Sequence, residues 1–190
     1  MTLSTKASGH DSASDCSSRG SCEFEQRTIC GWTEGGKMMW SRGTRTPSLG
    51  TGAEQPHSGK HFIFLETSYG RKNDKSYLIS PKLQPGTRTM QFFYHMHGKT
   101  MGTMTVEATT NGKAWTVLWQ KTGQQHSGQK DQWMGTGVAL PAGTIQVRIS
   151  GSKGASWTGD MAVDTVSFST FPPKTLSVEL KLAVAMSSGF

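Results

Sequence analysis

Glu23 and Glu25 lie two residues apart in the run C-E-F-E-Q-R-T-I-C, so an extended backbone puts both carboxylates on one face. A carboxylate pair of this kind is what acid and base catalysis on a glycoside needs. No motif that builds a pocket accompanies them, so a glycosidase is not the expected reading. His95 and His97 have the same spacing and share a strand face. They suit zinc only if a third ligand, such as His57 or His61, comes from elsewhere. The plainer expectation is a polar outer face of a strand. Cys16, Cys22 and Cys30 allow three single-bridge pairings. With no histidine between them, they make a poor tetrahedral zinc set. A structural bridge would point to an oxidising compartment. No G-x-S-x-G, P-loop or H-E-x-x-H motif occurs, so the common catalytic signatures offer nothing.

The elements that must position these groups read as short strands divided by turn chemistry. Strands are expected over residues 61–66, 76–80, 90–96, 101–109, 114–120, 133–140, 144–150 and 161–168. The first of these is apolar on both faces, as a strand buried on both sides should be. Met104, Val106 and Ala108 alternate inward, as do Ile145, Val147 and Ile149. Asn111-Gly112 predicts a type I′ hairpin, and Gly135 and Gly137 suggest a bulge. Two tryptophans close together, Trp32 and Trp40, mark a place where strands must pack, and Phe92 and Tyr94 join them as expected core. Met96, Met101 and Met104 form either an adaptable surface or filling between sheets, and filling is the plainer reading. Between Trp40 and His61 the chain is rich in Gly, Pro, Ser and Thr, which predicts a long surface loop.

These elements sum to an all-β fold, a jelly-roll β-sandwich of two antiparallel sheets with eight or nine strands. The 190 residues, with 23 glycines and 34% hydrophobic content, hold one domain with tails. Residues 1–20 read as a disordered lead-in, 21–171 as the domain and 172–190 as a tail of unassigned form. No apolar run of 18 residues is present and no signal-peptide core is visible. The net charge of +7 and pI near 9.5 admit acidic glycans as partners. The basic residues are nonetheless scattered, without the aromatic interleaving that nucleic acid would favour. Neither Asn73 nor Asn111 sits in a glycosylation sequon.

The order of segments resembles the MAM domain, the module of meprin, the A5 neuropilin antigen and receptor phosphatase mu. The match runs over about residues 22–170: C-E-F-E…C-G-W, W-S-R, T-P-S-L-G-T-G, L-I-S-P, F-F-Y-H-M-H-G-K-T-M-G-T-M-T-V, Trp133 and G-D-M-A-V-D-T-V. The resemblance implies an extracellular, non-catalytic jelly roll that acts in cell adhesion or receptor oligomerisation. Cys22–Cys30 is the bridge expected here, with Cys16 left free or paired outside the chain. A second bridge often found in the family is absent, since Thr89-Met90-Gln91 stands where its first cysteine would fall. That forgoes about 2–4 kcal/mol.

The resemblance also raises calcium, for which family members use acidic residues around these motifs. Glu25 and Asp164 match such positions. Lys37-Met38-Met39, Gln55-Pro56-His57-Ser58 and Thr165 replace the other expected acids. Calcium needs six to eight oxygen ligands, so no cofactor is expected to be required and tight calcium binding is not expected. Asp164 alternates with Ala162, Val166 and Phe168, which reads as inward. A buried carboxylate there should hold backbone N–H groups or an arginine. The expected partners are a like domain or another protein, with residues 42–60 and the exposed basic side chains as contact candidates. Alternatives are a carbohydrate-binding jelly roll, or an accessory domain of a secreted metalloprotease.

Overall fold

Alternation of apolar and polar residues gives one wet face and one dry face to most strands, and two such sheets bury their dry faces together. The computed structural model describes residues 19–171 and contains ten strands. They are β1 Thr33–Gly36, β2 Trp40–Gly43, β3 Phe62–Leu65, β4 Lys75–Ile79, β5 Thr89–Met96, β6 Thr103–Thr109, β7 Thr116–Thr122, β8 Met134–Ala139, β9 Gln146–Ser152 and β10 Met161–Ser169. One sheet has the order β1-β4-β9-β6-β7 and the other β2-β3-β10-β5-β8, with every pairing antiparallel. This is the expected jelly-roll sandwich. β1 and β2 are additions, because T-E-G-G and W-S-R-G carry too few apolar residues to announce themselves.

The main core lies between the sheets. Trp32, Trp40, Phe92 and Tyr94 are buried in it, and so are Met96, Met101 and Met104, which fill space as expected. Met104, Val106, Ala108, Val147 and Ile149 all point into it, whereas Ile145, expected with them, precedes β9 and is only half-buried. The Trp32 indole donates to Gly20 O at 2.8 Å and stacks on Phe168, which ties the entering chain to β10.

Two local expectations are corrected. Asn111-Gly112 does not form a type I′ turn, because Gly112 alone has positive φ (72°). Asn111 Oδ1 instead accepts from the N–H groups of Lys113 and Ala114 at 2.9 Å, which lengthens the connection and delays β7. Gly135 and Gly137 sit in unbroken register with β5. The Phe93 ring lies so close over Gly135 that a Cβ there would meet it at 2.9 Å. Bulges fall elsewhere: one where β7 pairs with β6, and one on β10, where Asp164 pairs with Phe93 but Ser167 pairs with Gln91. Thr165, at φ 50°, is the extra residue.

That extra residue decides which way β10 faces. Met161, Val163 and Val166 enter the main core, whereas Ala162 and Asp164 point to the outer side of their sheet. Asp164 is buried as expected, yet it does not lie between the sheets. Residues 44–61 leave the end of β2 and cross that outer side as a strap. Beneath it a second small core forms from Ala53, Phe62, Phe64 and Ala162, with Trp133 packed against it. β3 is therefore buried on both faces, as its sequence predicted.

Candidate functional site

Two carboxylates, Glu25 and Asp164, hold the end of the strap that leads into β3. Arg42, on β2, donates to the carbonyls of Phe24 and Glu25 and so fixes the segment that carries Glu25. Glu25 then accepts from the N–H groups of Lys60 (2.7 Å) and His61 (2.9 Å), and from the His61 ring (3.2 Å). Asp164 accepts from the N–H groups of His57 (2.9 Å), Ser58 (3.2 Å) and Thr165 (2.7 Å). Gly59 lies between the two anchors at φ 61°, pressed against the Glu25 carboxylate with no room for a Cβ. Burial pushes the Asp164 carboxyl up to about 7, with the negative charge of Glu25 adding to it and the N–H bonds opposing. At Glu25 burial also pushes upward, but the donors of His61 and Lys60 outweigh it and leave the carboxyl below its usual range.

This donor set does not fit calcium. All four carboxylate oxygens face N–H hydrogens, whose positive ends would repel a cation approaching the same oxygens. Met38 is buried among the apolar core residues where another acid would be needed. Among the described residues, no group of three His, Cys, Asp or Glu side chains is arranged to hold a metal ion.

The middle of the strap is fixed as firmly as its anchors. Thr46 Oγ1 donates to Thr51 O and Ala53 O, and Thr51 Oγ1 donates to His97 O. Gln129, from the β7–β8 connection, closes the tip. Its side chain accepts from Gly50 N–H at 2.7 Å and donates to Ser48 O and Thr51 O. The tip therefore has satisfied backbone groups and one large apolar residue in solvent, Leu49, at 89% exposure.

The carboxylates and histidines singled out by their spacing come to lie in different surroundings. Glu23 and Glu25 do not share a face, because Phe24 at φ 58° breaks the extended alternation. Glu23 is exposed, and Glu25 serves the strap. His95 and His97 do point to the outer face of their sheet, but that face is covered rather than wet. His95 is fully buried and stacks on His126 at 4.0 Å, and His97 Nδ1 meets His126 O at 3.0 Å. Neither expected third ligand joins them: His57 stacks on Phe93, and His61 pairs with Glu25. His126 accepts from Met96 N–H, while its Nε2 and the His95 ring face the backbone of Gln132 and Gly128 without a well-aligned hydrogen bond. Burial, followed by repulsion from His126, lowers the His95 pKa to about 3.

The expected Cys22–Cys30 bridge is not the one formed. Cys30 is disulfide-bonded, while Cys22 stays a buried thiol that accepts from Phe24 N–H at 3.3 Å. Backbone pairing of Cys22 with Val166 turns its side chain into the main core. Cys16 lies outside the described residues. The sequence reading missed His126 and Gln129, single polar residues in a polar loop with no spacing signal. It also missed Arg148, which pairs with Glu107 and lies between the Tyr77 and Trp115 rings at 4.5 Å from each.

Comparison with known proteins agrees with this architecture. The family model described as MAM domain, meprin/A5/mu, matches residues 22–172. Zonadhesin of Mus musculus is 30% identical over 169 residues, covering 82% of this chain and 3% of that protein. The MAM domain-containing glycosylphosphatidylinositol anchor protein 1 of Rattus norvegicus is 31% identical over 162 residues, 77% of this chain and 16% of that protein. The chain thus spans a small part of the relatives it matches. Among solved structures, the K1 cleaved adhesin domain of Lys-gingipain from Porphyromonas gingivalis superposes with a TM-score of 0.61 at 19% identity. That superposition covers 78% of this chain and 96% of the other, and the likeness is one of fold.

Proposed function

Since this chain belongs to the MAM family, we propose that it is a non-catalytic module outside the cell, joining a like domain or another ectodomain through protein–protein contacts. The observation that carries this reading is the strap. An exposed loop usually loses conformational entropy on binding, and a loop already fixed by Gln129, Glu25 and Asp164 loses little. Its tip presents Leu49 beside Arg45 and Pro47, an apolar contact with a charged neighbour. One relative is named for a glycosylphosphatidylinositol anchor, which tethers a protein to a membrane surface and supports a place outside the cell. No calcium requirement belongs to this reading, because the carboxylates are engaged by the strap.

A row of exposed tryptophans on one sheet face would favour a lectin. Trp32 and Trp40 are buried, Trp115, Trp119 and Trp133 are half-buried, and Trp157 alone is exposed, on a loop. Beads coated with the oxidised chain are expected to aggregate, and Leu49→Asp to suppress aggregation without lowering the melting temperature. Failure of the wild-type beads to aggregate, with no binding to a panel of ectodomains, would overturn the reading.

A further inference from the structure

Basic residues that are scattered along the sequence come together at one end of the sandwich. Five connections meet there, residues 37–39, 66–74, 97–102, 123–133 and 153–160, and all but the fourth frame the patch described next. They are interlocked by backbone bonds from Lys37 N–H to Lys75 O, Asn73 N–H to Lys153 O, Lys153 N–H to Asp74 O and Thr100 N–H to Thr158 O, each 2.9–3.0 Å. Thr67 Oγ1 adds a bond to Trp157 O, and the Lys153 ammonium, itself buried, donates to Tyr69 O. Five exposed cations stand on this frame: Lys37, Arg71, Lys72, Lys75 and Lys99. Among the described residues none of the five is in an ion pair. The carboxylates on or beside this frame each turn an oxygen onto a backbone N–H group: Glu34 on Trp40, Glu66 on Ser68, Asp74 on Arg71 and the buried Asp160 on Thr67.

The same connections carry three of the large apolar side chains left in solvent. Tyr69 is 78% exposed, Met39 72% and Trp157 47%. Tyr69 also walls a cleft of about 340 Å³ that runs toward Pro47 and Ser48 of the strap. A ligand for this end must satisfy separated positive charges and also lie flat on aromatic rings. A compact anion would meet one cation, whereas a chain with an anion on successive units meets several. Sugar rings supply the C–H faces that pack on tyrosine and tryptophan. We propose that this end of the sandwich binds a linear polyanionic polysaccharide, with the cations taking its sulfate or carboxylate groups and Tyr69 and Trp157 taking its ring faces.

The test uses immobilised heparin as the probe and elution with salt, on the whole chain. The wild type is retained. The triple variant Arg71→Gln, Lys72→Gln, Lys99→Gln elutes at clearly lower salt, and the salt dependence of its affinity is reduced, as fewer counterions are exchanged. A charge-matched variant at the opposite end, Lys82→Gln, Arg88→Gln, Lys113→Gln, elutes with the wild type. Trp157→Ala weakens binding several-fold while leaving the salt dependence unchanged. Equal shifts in the two triple variants would reduce the effect to net charge and overturn the proposal. Wild-type protein that passes heparin but binds phosphatidylserine vesicles would overturn it in favour of a membrane surface. Neither result bears on bead aggregation through Leu49, so the two readings fail separately.

Discussion

Asp164 carries opposing demands, because three N–H donors favour its charge while burial pushes its pKa to about 7. Asp164→Ala removes the acceptor and leaves buried donors unmatched, at about 1–3 kcal/mol for each one that water cannot reach. A melting-temperature loss well beyond that of a surface substitution is expected, and an unchanged melt would contradict the assignment. The pH dependence has two parts of opposite sign. A carboxyl raised from 3.8 to about 7 on folding binds its proton more tightly in the native state, so Asp164 adds stability as pH falls from about 7 toward 3.8. A histidine lowered from 6.5 to about 3 takes its proton first in the unfolded chain, so His95 removes stability as pH falls through that window. His126 is lowered in the same direction by burial. His95→Leu removes one of these losses together with two poorly satisfied ring nitrogens. Its melting temperature should fall less than that of the wild type between pH 6.5 and pH 4, and an equal fall would contradict the burial of His95 as a neutral ring.

At the scale of elements, the strap is the unit that matters. Gly59→Ala forces a Cβ against Glu25 at positive φ, and a loss of about 1–2 kcal/mol is expected from the backbone alone. Gln129→Ala is expected to leave the melt nearly unchanged but to speed amide exchange at Gly50, whose N–H it receives. Protection at Gly50 that survives the substitution would remove Gln129 from its role. The strands themselves were legible because alternation and turn residues are local signals. Met104, Val106 and Ala108 needed only a period of two to be read as inward. The face of Asp164 was not legible, because one extra residue at Thr165 reverses the parity of the strand, and no composition signal marks a threonine at φ 50°. The Gly- and Pro-rich run was readable as irregular chain. That it folds back over Phe62 and Phe64 was hinted only by a strand apolar on both faces.

For the whole molecule, the second core under the strap places two buried phenylalanines on the side of the sheet that a simple sandwich leaves wet. Each such side chain contributes about 1.5–3 kcal/mol. Together they are comparable with the usual contribution of one disulfide. The outer face of one sheet is consequently covered by its own chain, and the partner surfaces proposed above, the strap tip and the basic loop end, lie outside it. In the proposed function, Glu25 and Asp164 hold the adhesive strap through N–H donors alone, with no metal between them. Bead aggregation with the oxidised chain, run in millimolar calcium and again in excess chelator, is the decisive measurement. Equal aggregation in both is expected of a strap anchored without metal. Aggregation that disappears on chelation and returns with calcium would contradict such an anchor.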